Sequence, residues 1–186
     1  MRIVGGRLRG RRLATPKSLS IRPTSDRNRE SLFNILSHRW THHLTGRVLD
    51  VFAGTGALGC EALSRGAVDC VFIENSPQGI ALIRENIKTL DLVNCTTVLR
   101  RDATRPGVVE ENMPVDLIFA DPPYGKGLGE KAAMALAANG WIGDGALFIL
   151  EERKGSLPSR LEGFALLDQR DEGDTSIGLF QRVAKP

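Results

Sequence analysis

The feature of the sequence that most restricts its fold is a regular alternation, from Val48 onward, of short apolar runs with helical stretches. Apolar runs typical of buried strands occupy residues 48–52, 71–73, 96–99, 116–120 and 146–150, and helical patterns occupy 57–65, 76–90 and 129–138. Strands that are connected through helices pair in parallel, with helices covering both faces of the sheet. The alternation therefore predicts an α/β fold around a parallel sheet.

Both ends of the chain depart from this alternation. Residues 164–169 and 175–182 flank Asp171-Glu172-Gly173-Asp174, which is typical of a turn, so we expect a C-terminal antiparallel hairpin. Before the first strand, Leu32, Leu36 and Trp40 recur at helical spacing. This spacing predicts a helix over residues 26–40.

Positive charge is concentrated at the N-terminus. The first 30 residues carry nine basic and two acidic side chains, whereas the rest of the chain carries 16 basic and 20 acidic ones. Basic clusters of this density bind polyanions, because lysine and arginine displace counterions from phosphates. Apolar residues and glycines alternate with the first arginines, which predicts a small β-hairpin. We expect a basic arm over residues 1–25 and one domain over 26–186, with RNA contacts from the arm's basic residues: Arg2, Arg7, Arg9, Arg11, Arg12, Lys17 and Arg22.

Composition excludes several classes of protein. No stretch approaches the roughly 20 apolar residues that a membrane helix requires, and the N-terminus lacks the apolar run of a signal peptide. We therefore expect a cytoplasmic protein without a membrane partner. The three cysteines show no Cys-x-x-Cys spacing, so neither a disulfide framework nor a metal site is expected.

A glycine-rich turn follows the first predicted strand. Gly54-Thr55-Gly56 and Gly59 match a dinucleotide-binding turn, and Glu74 follows at the distance of an acid that binds ribose hydroxyls. However, Asp50 at the end of the strand would repel a pyrophosphate. A cationic ligand such as S-adenosylmethionine suits this carboxylate better. We expect Asp50 to point into the crevice toward the amino-acid part, Glu74 to bind the ribose and Asp102 to accept from the adenine amine.

A second motif, Asp121-Pro122-Pro123-Tyr124, directly follows the fourth predicted strand and so lies at the same sheet edge. The two prolines remove backbone donors and make the turn rigid. Its carbonyls and the Asp121 carboxylate can accept the hydrogens of a base amine, and Tyr124 can stack on an extruded base. The turn therefore predicts methylation of an exocyclic amine.

These residues alone leave the reaction open. The same turn serves guanine-N2 and adenine-N6 chemistry, and a non-catalytic RNA module that binds a nucleotide is a third possibility. Methylation of cytosine C5 is disfavoured, since none of the cysteines lies beside the proline turn.

The chain resembles the bacterial small-subunit (16S) ribosomal RNA guanine-N2 methyltransferase family almost from end to end. Three stretches carry the resemblance: residues 2–13 (RIVGGRLRGRRL), 22–34 (RPTSDRNRESLFN) and 49–67 (LDVFAGTGALGCEALSRGA). In two places the chain departs from the family pattern. Asn28 stands where an apolar residue is expected, and Tyr124 stands where phenylalanine is also used.

The resemblance implies a Rossmann-like class I methyltransferase fold with a seven-stranded mixed sheet. It implies transfer of a methyl group from S-adenosylmethionine to N2 of one guanine in 16S rRNA, in the small subunit or its assembly intermediate, by a monomer. Catalytic roles would fall on Asp121, Pro122, Pro123 and Tyr124. The cofactor site would comprise Thr24, Asp50, Phe52, Ala53, Gly54, Thr55, Gly56, Glu74, Asn75, Asp102, Ala103 and Asp121.

Overall fold

Seven strands form one mixed sheet in the computed structural model, which describes residues 1–16, 26–109 and 114–184. In chain order they are β1 (Arg47–Val51), β2 (Asp69–Glu74), β3 (Thr96–Arg100), β4 (Val115–Ala120), β5 (Ile142–Arg153), β6 (Phe164–Glu172) and β7 (Thr175–Arg182). Their order across the sheet is β3-β2-β1-β4-β5-β7-β6. The first five strands pair in parallel, whereas β7 is antiparallel to both β5 and β6. The α/β fold and its antiparallel C-terminal hairpin are thus confirmed.

Helices cover both faces of this sheet. They are α1 (Asp26–Arg39), α2 (Thr41–Leu44), α3 (Ala57–Ser64), α4 (Pro77–Thr89) and α5 (Leu128–Ala138). Successive residues of a strand point to opposite faces. Accordingly, Phe119 of β4 packs in the apolar cluster that includes α1, α3 and α4, while its neighbour Ile118 packs in the cluster that includes α5. None of the helices in the described ranges is long and apolar enough to cross a bilayer.

Strand β5 extends beyond its predicted limits of residues 146–150. The apolar pattern ends at Leu150 because the next three residues are Glu151, Glu152 and Arg153, yet all three pair with β7. Antiparallel pairing with a neighbouring strand therefore carries β5 past the apolar core. As a result, two glutamates lie on a strand at the carboxyl edge of the sheet.

The N-terminal residues double back, but they form less β-structure than a hairpin. Arg2 and Arg12 form a single antiparallel bridge, and the Leu13 amide donates to the Met1 carbonyl at 3.2 Å. A 3-10 helix over Gly6–Leu8 occupies the segment between them and interrupts the ladder. The chain reversal of the expected hairpin is therefore present, with one bridge and flanking hydrogen bonds from the Ile3 amide to the Arg11 carbonyl at 2.9 Å and from the Gly10 amide to the Ile3 carbonyl at 2.8 Å. The boundary of the arm at residue 25 stays a prediction, and Lys17, Arg22 and Thr24 lie outside the described residues.

Apolar side chains anchor residues 1–13 to the rest of the fold. Ile3, Leu8 and Leu13 are buried in the same cluster as residues of α1 and α3. The arginines between them, Arg2, Arg7, Arg9, Arg11 and Arg12, are exposed. The N-terminal segment thus exposes its basic side chains, while its apolar side chains belong to the core.

A buried group of charges fastens this segment to α1 and α3. Arg29 of α1 and Glu61 of α3 are both fully buried, with the Arg29 Nε 3.8 Å from the Glu61 carboxylate. The Val4 amide and the Arg65 Nε each donate to Glu61 at 2.8 Å. Arg29 in turn donates to the carbonyl of Arg2. Since a buried charge must be paired and hydrogen-bonded, each member of this group depends on the others.

We predict that Glu61→Gln lowers the free energy of unfolding by about 3–5 kcal/mol, because it breaks the fully buried part of the ion-pair group and leaves Arg29 only the partly exposed Asp26, at 2.9 Å, as a counterion. Urea unfolding followed by circular dichroism measures this change. The matched control is Asp168→Asn, which breaks the more exposed ion pair with Arg39 at 2.9 Å and should cost less than about 1 kcal/mol. Equal losses in the two variants would contradict the role given to the buried group.

Candidate active site

A cleft of about 560 Å³ opens at the carboxyl ends of β1, β2, β3 and β4. The order of strands reverses between β1 and β4, and open α/β sheets bind ligands in the crevice at such a switch point. The lining residues are Phe52, Gly54, Ile73, Glu74, Asn75, Ser76, Arg101, Asp102, Ala103, Asp121, Pro122, Pro123, Tyr124 and Leu128. Four separate chain segments therefore meet in one concave site.

Most of the residues that the sequence analysis selected for catalysis and cofactor binding line this cleft. The cleft brings together Phe52, Gly54, Glu74, Asn75, Asp102, Ala103 and the whole turn from Asp121 to Tyr124. Asp50, Ala53, Thr55 and Gly56 are not among its lining residues. Their roles toward a ligand, like those of the residues in the cleft, stay predictions.

The glycine-rich turn reverses the chain sharply after β1. Phe52 has a φ of +57°, a left-handed conformation that is strained for a bulky side chain, and it lines the cleft. Gly56 has a φ of +73°, and a Cβ added there would lie 3.1 Å from the ring of Phe72. Glycine is required at this position for both reasons. Backbone strain of this kind is typical of a functional site.

Glu74, at the end of β2, holds the glycine-rich turn in place. One carboxylate oxygen accepts from the Gly54 amide at 2.9 Å and the other from the Ser76 amide at 2.8 Å. A Cβ on Gly79 would lie 2.8 Å from the Glu74 carboxyl carbon, so glycine leaves room for this side chain. A carboxylate has about four acceptor positions, so Glu74 can also accept from ligand hydroxyls in the cleft.

Asp102 follows β3, and two strands, β2 and β1, separate β3 from the β4 strand that leads into the proline turn. One of its oxygens accepts from the backbone amide and the hydroxyl of Thr104, both at 2.8 Å. These bonds fix the direction of the carboxylate at the rim. An amine donor in the cleft could be bound by the same group.

Asp50 lies behind the glycine-rich turn, contrary to the expectation that it points into the crevice. It is only 2% exposed, and its carboxylate accepts from the Gly59 amide at 2.9 Å. Burial raises the pKa of Asp50 to about 8. The negative charge of Glu74 adds to this rise, and the hydrogen bond from Gly59 opposes it. The structure therefore gives Asp50 a role in holding the start of α3.

Two glutamates of β5 hold the Asp-Pro-Pro-Tyr turn, and the sequence analysis did not select either. The Tyr124 hydroxyl donates to Glu151 at 3.1 Å, and the Gly125 amide donates to Glu152. Both glutamates are buried, at 9% and 5% exposure. Burial raises the pKa of Glu152, opposed by the hydrogen bonds from Arg153 and Gly125. A signal was present in the sequence, since two adjacent acids directly follow an apolar strand.

Asn86 of α4 connects the glycine-rich turn to the end of the N-terminal segment. Its side chain is fully buried, donates to the Thr55 carbonyl at 2.9 Å and accepts from the Ala14 amide at 2.7 Å. An asparagine on a helix gives no signal of such a role in the sequence. The chain leaving the basic segment is thus fixed to the same backbone that shapes the cleft.

Two arginines of the basic segment also contact the protein itself. Arg11 donates to the Thr89 carbonyl, and Arg2 lies 3.6 Å from Asp26. Arg7, Arg9 and Arg12 are exposed, which suits contacts with a polyanion. Their role in RNA binding stays a prediction.

Metal and thiol chemistry find no support in the described parts of the chain. There, no three histidine, cysteine or acidic side chains are grouped so that they could hold a metal ion. Cys60 and Cys70 are buried, and burial raises the pKa of both thiols. No cysteine is among the lining residues of the cleft, so cytosine C5 chemistry has no nucleophile there.

Comparisons of the chain with known proteins find one matching family and several relatives of similar length. The model of a family described as Conserved hypothetical protein 95 matches residues 1–181. Ribosomal RNA small subunit methyltransferase D of Escherichia coli is 37% identical, over 100% of this chain and 91% of that protein, and its Haemophilus influenzae namesake is 34% identical, over 97% and 93%. The solved structure of the Escherichia coli protein yhhF is 35% identical, covers 100% of this chain and 99% of its own, and superposes with a TM-score of 0.84.

We predict that the contribution of Asp50 to stability falls as the pH rises from about 4 to about 8. The folded protein retains a proton on Asp50 up to its pKa of about 8, whereas the unfolded chain releases it near the ordinary value of 3.8. Urea unfolding at several pH values should show this loss in the wild type and a flatter profile in Asp50→Asn. The exposed Asp91 provides the control, since Asp91→Asn should keep the wild-type slope. An unchanged profile in Asp50→Asn would refute the assignment.

Proposed function

The chain belongs to the family described as Conserved hypothetical protein 95, and we propose that it is an S-adenosylmethionine-dependent methyltransferase that modifies ribosomal RNA of the small subunit. The acceptor in this proposal is the exocyclic N2 amine of one guanine in 16S rRNA, within the small subunit or its assembly intermediate, and the enzyme acts as a monomer in the cytoplasm. The names of the curated relatives support the class of substrate. The observation that carries the proposal is the position of the Asp121-Pro122-Pro123-Tyr124 turn in one cleft with Glu74.

The residues of the cleft fit S-adenosylmethionine. A volume of about 560 Å³ is within the range of small-molecule sites, and the carboxylates of Glu74 and Asp102 suit ribose hydroxyls and an adenine amine. The Gly54 amide that Glu74 holds and the ring of Phe52 complete this side of the cleft. When bound there, the cofactor supplies the methyl group as an electrophile.

The proline turn prepares the accepting amine. The nitrogen of an exocyclic base amine is a poor nucleophile, because its lone pair is delocalised into the ring. When the Asp121 carboxylate and a backbone carbonyl of the turn accept its two hydrogens, they favour a pyramidal nitrogen with a directed lone pair. Positive charge then develops on the nitrogen, and Asp121 stabilises it more in the transition state than in the ground state.

The aromatic ring and the basic segment bind the RNA in this mechanism. Tyr124 is 40% exposed, so one face of its ring is accessible for stacking on an extruded base. Extrusion costs a few kcal/mol and is least costly in a loop. The exposed arginines Arg7, Arg9 and Arg12 would contact phosphates around the target.

We predict that Asp121→Ala lowers methyl transfer by more than about 100-fold, the cost of removing one preorganised electrostatic contact from a transition state. The assay is transfer of radiolabelled methyl from S-adenosylmethionine to small subunits from a strain that lacks the activity, followed by nucleoside analysis. Label in N2-methylguanosine is expected, whereas label in N6-methyladenosine would contradict the choice of guanine. The control is the exposed Asp144, whose Asp144→Asn variant should transfer normally. Transfer within threefold of wild type in Asp121→Ala would refute its catalytic role.

We also predict that the variant Arg7→Gln/Arg9→Gln binds rRNA more weakly and with a smaller salt dependence. Each lost phosphate contact should reduce the slope of log affinity against log salt by about 0.7–0.9, so the pair should reduce it by about 1.4–1.8. Filter binding across a salt series measures the slope. The control, Arg84→Gln/Arg160→Gln, removes the same charge from exposed positions outside the N-terminal segment. Identical slopes in the two variants would show that the segment makes no specific phosphate contacts.

A further inference from the structure

Glu151 and the catalytic turn lie side by side at the carboxyl edge of the sheet. Strands β4 and β5 pair in parallel, and the last pair in register is Ala120 with Leu150. The next residues on the two strands are Asp121 and Glu151. Parallel neighbours in register place their side chains on the same face of a sheet. Asp121, directly after β4, and Glu151 of β5 therefore occupy adjacent positions at this edge of the sheet, where Asp121 and Tyr124 line the cleft.

A direct contact joins Glu151 to the surface that would stack on the base. The Tyr124 hydroxyl donates to the Glu151 Oε1 at 3.1 Å, so the carboxylate lies at the edge of the Tyr124 ring. Glu151 itself is 9% exposed, compared with 40% for Tyr124. A base that stacks on the ring therefore brings its own edge close to a carboxylate that is largely shielded from water. A carboxylate can accept several hydrogen bonds, so holding Tyr124 is compatible with accepting another.

The backbone around Glu151 is well fixed. Glu151 pairs in register with Ile177 of β7, and the next residue, Glu152, accepts from the Gly125 amide. Strand β5 thus holds both Tyr124 and the residue after it. A group placed on a strand and fixed on two sides is suited to selecting between ligands of similar shape.

Guanine and adenine differ in the atom beside the amine that is methylated. In guanine, the neighbour of the N2 amine is N1–H, a hydrogen-bond donor. In adenine, the neighbour of the N6 amine is N1 with a lone pair, an acceptor. A carboxylate next to the amine site therefore attracts the guanine edge and repels the adenine edge.

We propose that Glu151 determines base specificity by accepting the N1–H of the target guanine while Asp121 accepts from its N2 amine. This inference rests on the proposed function. It explains how a turn that suits both the guanine N2 amine and the adenine N6 amine is restricted to the guanine amine. Glu151 is then a specificity-determining residue that contacts the base, besides holding Tyr124.

The base 2,6-diaminopurine tests this, because it has the same N2 amine as guanine but an acceptor at N1; it also has an amine in place of O6, so the comparison of Glu151→Gln with the wild type isolates the effect at N1. Once nucleoside analysis and mapping locate the modified position, 16S rRNA is ligated from fragments that carry either guanine or 2,6-diaminopurine there. The measurement is kcat/KM for methyl transfer to each RNA. We expect the wild type to prefer guanine by about 10-fold to 100-fold, the usual discrimination of one good hydrogen-bonded contact to a base.

The Glu151→Gln variant should bring this preference close to one, because the amide can donate to the N1 acceptor of 2,6-diaminopurine. Tyr124→Phe removes the hydrogen bond to Glu151 and should keep the preference, even where both rates fall. Glu162→Gln, at an exposed position, should behave as the wild type.

The outcomes separate the role of Glu151 from the proposed function. Equal transfer to both RNAs by the wild type would overturn the role of Glu151 while leaving the proposed function intact. A preference that persists in Glu151→Gln, with both rates lowered as in Tyr124→Phe, would overturn it as well, since Glu151 would then act only through Tyr124. Failure of the wild type to methylate the guanine RNA would refute the proposed function, and this proposal with it.

Discussion

Buried carboxylates that accept hydrogen bonds from backbone amides fix the turns at the carboxyl edge of the sheet, which lie outside the β-ladders. Glu74 accepts from Gly54 in the glycine-rich turn, Asp50 from Gly59 at the start of α3, and Glu152 from Gly125 after the proline turn. A buried amide without a partner would cost as much as a lost hydrogen bond, which applies to Gly59; Gly54 is half-buried and Gly125 is exposed, and there the carboxylates fix the direction of the turns. The cleft depends on all three.

This arrangement places negative charge where a cationic ligand would be favoured. Glu74, Asp102 and Asp121 line the cleft, and Asp50 lies directly behind it. Because Asp50 is buried beside Glu74, its pKa is raised and the protein avoids a second full charge at the same place. A sulfonium ligand and an amine that gains positive charge both suit such a site, whereas a pyrophosphate does not.

The N-terminal segment is connected to this site through the core. Glu61 holds the Val4 amide, and Asn86 holds both the Ala14 amide and the Thr55 carbonyl. The segment that presents the exposed arginines is therefore positioned by the same helices that carry the glycine-rich turn. In the proposed function, this connection fixes the distance between the phosphate contacts and the cleft.

The sequence by itself determined the α/β alternation, the antiparallel hairpin and the two motifs that meet in the cleft, because hydrophobic periodicity and glycine or proline turns are local properties of the chain. It could not show that Asp50 turns away from the cleft, nor that Glu151 and Glu152 support the proline turn. Those outcomes depend on the pairing of β5 with β7 and on which acids are buried. Two adjacent acids after an apolar strand mark the position of Glu151 and Glu152, but not the turn that they contact. The predicted hairpin of residues 1–13 has one bridge, and a 3-10 helix that contains the buried Leu8 lies between its two paired segments. Only the tertiary structure decided which polar groups lie next to each other, because those contacts join residues that are far apart in the chain.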